Sequence, residues 1–203
     1  ESDQEIEDLE EIDAPFATPP SIERLNIVVG GDWWRPILSS TSNFPSKVQD
    51  ITKGVCSLLS KRFKEVCYSP IKAQPHHTIP KYFLIFASRH PDALILMNDQ
   101  MVKSRKTLAE LAKPKEPTLF EMRSIELVPD IEILPEVILK YVSKPTKRGI
   151  VILNIIRECF GQFAHKDIRG CIENMLINGK LRSETGKVRI NDNVKIFDAR
   201  KYH

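Results

Sequence analysis

Residues 132–197, EILPEVILKYVSKPTKRGIVILNIIRECFGQFAHKDIRGCIENMLINGKLRSETGKVRINDNVKIF, decide how this chain is read. Three segments with helical apolar spacing precede two short β-prone runs. A first helix is expected around Ile131–Val142. Pro145 and Thr146 open a second, running through Phe160. It is apolar on most sides (Ile150, Val151, Ile152, Leu153, Ile155, Ile156), which makes it the buried centre of the unit. Gly161 ends it. The third helix, His165–Asn178, carries a stripe of Ile168, Cys171, Ile172, Met175 and Leu176, and Gly179 closes it. Leu181–Ser183 and Asn193–Phe197 read as strands joined by the polar loop Glu184–Asp192. Three helices followed by a basic hairpin is the order of a winged helix-turn-helix, a fold that often docks on nucleic acid.

Such a module buries one face of its third helix and offers the other to a groove. With the apolar stripe inward, Lys166, Arg169, Gly170 and Glu173 face outward. His165 and Lys166 occupy the first turn, where backbone N–H groups favour a phosphate. Arg182, Lys187 and Arg189 lie along the hairpin, within reach of phosphates or an adjacent minor groove. The candidate nucleic-acid-binding residues are therefore His165, Lys166, Arg169, Arg182, Lys187 and Arg189. Asn and Gln, the usual adenine readers, are absent from the outward set, so backbone contacts are expected to outweigh base readout, and nothing separates DNA from RNA. The alternative is a non-enzymatic adaptor that uses the winged helix as a protein-interaction surface.

The charge distribution agrees with a polyanionic partner. The net charge is only +3, but eight of the 27 acidic residues fall in residues 1–13. From Lys140 onward there are fourteen Lys or Arg against six Asp or Glu. A basic region of this kind attracts polyanions by Coulomb steering and counterion release. The acidic head either screens that field or is a disordered linker.

The rest of the chain divides by composition. Residues 1–24 are acidic and then Pro-rich, and read as linker or insertion. Residues 25–113 read as an α/β unit and residues 114–130 as a proline-punctuated linker, which leaves 131–203 for the winged helix. Within the α/β unit a turn is expected at Gly30-Gly31, with one of Trp33 and Trp34 in the core and the other at an interface. An amphipathic helix runs from Pro45 to Phe63 with Ser46 as its cap. A short strand spans Glu65–Ile71. The run Lys81–Ser88 (KYFLIFAS) reads as a strand with both faces covered, and a further helix starts at Pro91.

No catalytic constellation is visible. Asp13-Ala14-Pro15-Phe16 resembles the Asp-Pro-Pro-Tyr/Phe tetrapeptide of amino-group methyltransferases, but an acidic run stands where that motif needs a buried strand. His76-His77 has no further ligand at metal-binding spacing. Gly30-Gly31 starts no phosphate loop. The cysteines at 56, 67, 159 and 171 form no C-x-x-C pair, so reduced thiols, no metal and a cytoplasmic location are expected. No apolar stretch is long enough for a membrane span.

Lys81–Val102 (KYFLIFASRHPDALILMNDQMV) resembles the strand, small turn and Met-containing helix of the three-Cys-motif partner family, as does Gly30-Gly31-Asp32-Trp33-Trp34 its Gly-x-x-Trp stretch. Phe163–Arg169 (FAHKDIR) with Asn193–Phe197 is similar to its C-terminal winged helix. The resemblance covers about residues 25–197. It implies a class I S-adenosylmethionine-dependent methyltransferase-like protein. The expected fold is then the trailing strands and helices of a Rossmann-like α/β sheet, followed by an α+β winged helix. The glycine-rich loop and acidic ribose ligand that such a sheet uses have no counterpart here. The chain is accordingly expected to be the C-terminal, substrate-presenting portion of a longer or split protein, without a cofactor site and without methylating activity of its own. Its expected partners are nucleic acid and either the N-terminal half of the same protein or another chain, with no membrane.

Overall fold

Asn43 and Pro45 start the helix around which the N-terminal part is built. In the computed structural model residues 22–72, 80–111 and 130–201 are described. The acidic and proline-rich residues 1–21, His76-His77 and most of the linker expected over 114–130 lie outside them. Helix α1 (Ile22–Val29) comes first, and Gly30 and Gly31, at φ of 75° and 132°, turn the chain toward α2 (Arg35–Ser39). Helix α3 spans Phe44–Leu59. Its cap is Asn43, whose side chain accepts the Ser46 N–H at 3.0 Å. Ser46, the expected cap, is a helical residue instead, because Pro45 fits the first turn where its missing N–H costs nothing. The tryptophans share one corner: Trp34 is buried and donates Nε1–H to Asn26, and Trp33 is half-buried and donates to the Val29 carbonyl. A Cβ on Gly54 would stand 2.1 Å from the Trp33 ring, so glycine is what lets α3 approach it.

Strands β1 (Glu65–Ile71) and β2 (Tyr82–Ser88) form a two-stranded antiparallel ribbon, in register from Glu65 opposite Ser88 to Ile71 opposite Tyr82. The alternation in β1 buries Glu65, Cys67 and Ser69, and Cys67, Leu84 and Phe86 join the main core. β2 was expected to be covered on both faces; beyond the exposed Tyr82 its residues are all half-buried. A strand with a single hydrogen-bonded neighbour is shielded less than one inside a wide sheet. Every strand pair among the described residues is antiparallel.

Helix α4 (Pro91–Leu111) follows, with Leu94, Asn98, Met101 and Val102 buried. A 3-10 turn at Ile131–Ile133, capped by Asp130, leads into α5 (Leu134–Tyr141). The second helix of this region starts later than its sequence suggests. Thr146 and Lys147 form strand β3 because they pair with β5 (Lys195–Asp198), and α6 runs Arg148–Glu158. Gly161, at φ of 72°, makes the turn into α7 (His165–Ile177), and β4 (Leu181–Ser183) completes a three-stranded sheet in the order β3-β5-β4.

One hydrophobic cluster joins these parts. Leu94 and Met101 of α4 and Cys67 of β1 belong to the same core as Leu134, Ile138, Ile152, Ile155, Ile168 and Ile172. Each fully buried aliphatic side chain there contributes about 1.5–3 kcal/mol relative to exposure. The chain is thus a mixed α/β structure with two small antiparallel sheets. Among the described residues no helix is long and apolar enough to cross a membrane.

Candidate nucleic-acid interface

The stripe expected of α7 is its buried face: Ile168, Ile172, Met175 and Leu176 are buried, with Cys171 partly so. That fixes the outward set at Lys166, Gly170, Glu173 and Ile177, flanked by Arg169 and Asn174. Gly170 faces open space, with nothing within 4 Å of a notional Cβ. Asn174 is exposed, so one amide side chain does reach the outer surface of this helix.

The six sequence-predicted residues fall into separate groups. His165 and Lys166 stand at the first turn of α7. They line a groove of about 440 Å³ against α4, together with Lys103, Lys106 and Thr107. Arg182 and Lys187 line a second hollow of about 310 Å³, with Leu176, Gly179 and Gly186. Between His165 and Ile177 the helix rises about 18 Å at about 1.5 Å per residue, so the two groups sit at opposite ends of α7. Arg169 lies along the helix and Arg189 in the exposed loop, and neither lines these two hollows. None of Lys166, Arg169, Arg182, Lys187 and Arg189 has an ion-pair partner among the described residues. Lys103 and Lys106 escaped the sequence reading. They lie on a helix some sixty residues earlier, and only the docking of α4 on α7 brings them to this surface.

The phosphate contact expected at the α7 N-terminus meets a competitor. Asp99 of α4 accepts the His165 N–H at 2.7 Å, so a carboxylate already caps that end of the dipole. A polyanion here would rely on the surrounding side chains instead. Lys106 lies 3.7 Å from Asp167, which leaves Lys103 and Lys166 as the free ammonium groups of the groove.

Buried charge sets the hairpin on α7. Arg148, the first residue of α6, is 1% exposed. Its Nε and Nη2 both reach Asp192 Oδ1 at 2.7 Å, and its Nη1 makes only the 3.8 Å contact with Glu173 of α7. The guanidinium therefore ties the loop before β5 to the outward face of α7 and offsets the negative charge there.

Elsewhere hydrogen bonds and burial shift several titratable groups. Hydrogen bonds from Lys140 and Tyr141 hold the Glu158 carboxyl below its usual range, and burial with the Glu158 bond pushes Tyr141 up to about 12. Burial, reinforced by Glu65, pushes the Cys67 thiol up to about 11, far from the range of a nucleophile. Burial likewise raises Cys56, Cys159 and Cys171, and all four cysteines are free. No group of three or more His, Cys, Asp or Glu among the described residues is placed to hold a metal ion. Gly30-Gly31 joins two helices, whereas the cofactor turn of a Rossmann-like sheet joins a strand to a helix. The described residues therefore offer no fit for S-adenosylmethionine at that turn. Compared with family models, with curated proteins and with solved structures, the chain finds no match.

Proposed function

We propose that residues 131–201 act as a winged helix-turn-helix module that holds nucleic acid through its phosphate backbone. The observation that carries this reading is the element order helix, strand, helix, helix, strand, strand with the sheet order β3-β5-β4, combined with unpaired cations at both ends of α7. That spacing suits a third helix lying along a groove while the hairpin reaches the flanking backbone. The outward face of α7 carries few base-reading groups, so affinity comes chiefly from counterion release. Taken with the resemblance to the three-Cys-motif partner family, the module serves as the substrate-presenting C-terminal portion of a methyltransferase-like protein.

A second reading has its own support. Ile177 is 64% exposed and Ile150 47%, and Glu173 stands mid-face on α7, a mixture that also suits a protein partner. Pairwise substitution separates the two. Under the nucleic-acid reading, Lys166→Ala/Arg169→Ala and Arg182→Ala/Lys187→Ala each lower affinity for a mixed-sequence duplex by roughly ten- to fiftyfold at about 0.1 M salt. Each pair also removes about two units of salt slope. Equal affinities for all three proteins would refute it.

A further inference from the structure

The outer face of the β3-β5-β4 sheet presents a charge arrangement that the fold itself does not explain. Lys147 of β3 and Lys195 of β5 are direct cross-strand partners, and both are exposed. The alternation places Ile196, Leu181 and Ser183 on the buried face, so Lys147, Lys195 and Arg182 share the opposite one. Phe197, half-buried, is the cross-strand partner of Arg182 on that same face. Like charges directly opposite each other destabilise a sheet. No carboxylate forms an ion pair with either lysine among the described residues. Glu184, the neighbour in the same row, spends its Oε1 on the Lys195 backbone N–H at 3.2 Å.

We infer that this sheet face is a second contact surface for the nucleic-acid backbone, with Lys147 and Lys195 as its paired phosphate ligands. The inference rests on the nucleic-acid reading above and extends it from α7 and the hairpin loop to a strand that sequence periodicity does not reveal. Glu184 offsets one of the three positive charges of this face, and phosphodiester groups supply the remaining counter-charge. Arg182 links this face to the hollow at the end of α7, so one polyanion runs across both. The short β3 then places Lys147 beside Lys195 where a helical start at Thr146 would point it elsewhere.

The test is a Lys147→Gln/Lys195→Gln variant of the full chain, titrated with a labelled duplex of about 20 base pairs over a range of salt. The salt slope should fall by about two units and affinity by roughly tenfold per lysine at about 0.1 M salt. Thermal unfolding of the free variant should start no earlier than in the parent, because a repulsion has been removed. Lys147→Arg/Lys195→Arg should keep the parental slope. An unchanged slope in the Gln variant, alongside a loss in Lys166→Ala/Arg169→Ala, overturns the sheet-face contact and leaves the α7 reading standing. A lower melting midpoint shows the lysines to be structural and overturns it too. No binding by the parent removes both.

Discussion

Replacing Arg157 with methionine should cost about 3–5 kcal/mol of stability. Arg157, in the last turn of α6, grips Glu65 at the start of β1 with two parallel 2.8 Å hydrogen bonds. The two partners are unequally placed: the Glu65 side chain is 0% exposed and that of Arg157 is 38% exposed. Removing the arginine therefore strands a buried carboxylate, whereas removing the glutamate frees an arginine that water can still solvate. Methionine fills much of the stem volume, so the loss reports charge more than packing. Glu65→Gln in the Arg157→Met background should recover a good part of it, and Glu65→Gln alone should cost less than Arg157→Met. Chemical denaturation of the four proteins measures the coupling directly. For a chain of this size the single variant should melt on the order of 10 °C earlier. Additive losses across the cycle would mean that the pair does not join the ribbon to α6 as described.

The second large effect is expected at Asn98. This side chain of α4 is fully buried and spends both ends on the turn between α6 and α7. Its Nδ2 donates to the Phe163 carbonyl at 2.9 Å, and its Oδ1 accepts the Gly161 N–H at 2.8 Å. Asn98→Ala leaves a buried donor and a buried acceptor without partners, at about 1–3 kcal/mol each. Gly161 cannot relax freely to find another partner, since it sits at positive φ with Met101 packed beside it. The next residue of α4, Asp99, holds the His165 N–H, so both contacts fix where α7 begins. Asn98→Ala should therefore lower stability by about 2–6 kcal/mol and also speed amide exchange at Gly161 and His165 ahead of the rest of α7. Parental exchange at those two amides in a destabilised variant would show that α4 does not position the helix.

Much of the fold could be read from periodicity, and the failures share a cause. Leu181–Ser183 carries its strand boundaries in the sequence, because Gly179 and the polar loop from Glu184 bracket it, whereas Glu65–Ile71 buries Glu65 and Ser69, a face that no apolar alternation announces. The stripe of α7 likewise predicts its buried face. Thr146-Lys147 did not read as a strand because two residues show no period, and pairing with residues nearly fifty positions later decides the matter. The long-range caps and pairs were equally hidden. Asn98 on Gly161, Asp99 on His165 and Arg157 on Glu65 link positions more than sixty residues apart, and no local pattern announces them. The candidate site shows the same division. Its cations were identifiable as outward or hairpin residues, but their split to the two ends of α7, and the additions from α4 and β3, follow only from packing.

Under the proposed function, the chain binds nucleic acid mainly through its phosphates. The measurement that tests it most directly is the affinity of the unmodified protein for a mixed-sequence duplex as a function of salt. Five free cations on α7 and the hairpin, with or without the sheet-face pair, predict a log–log slope of about −4 to −6 and binding that tightens steeply below about 0.1 M salt. A slope near zero, or no binding at about 0.05 M salt, would contradict the claim and turn attention to the apolar and acidic positions of α7 as a protein-binding face.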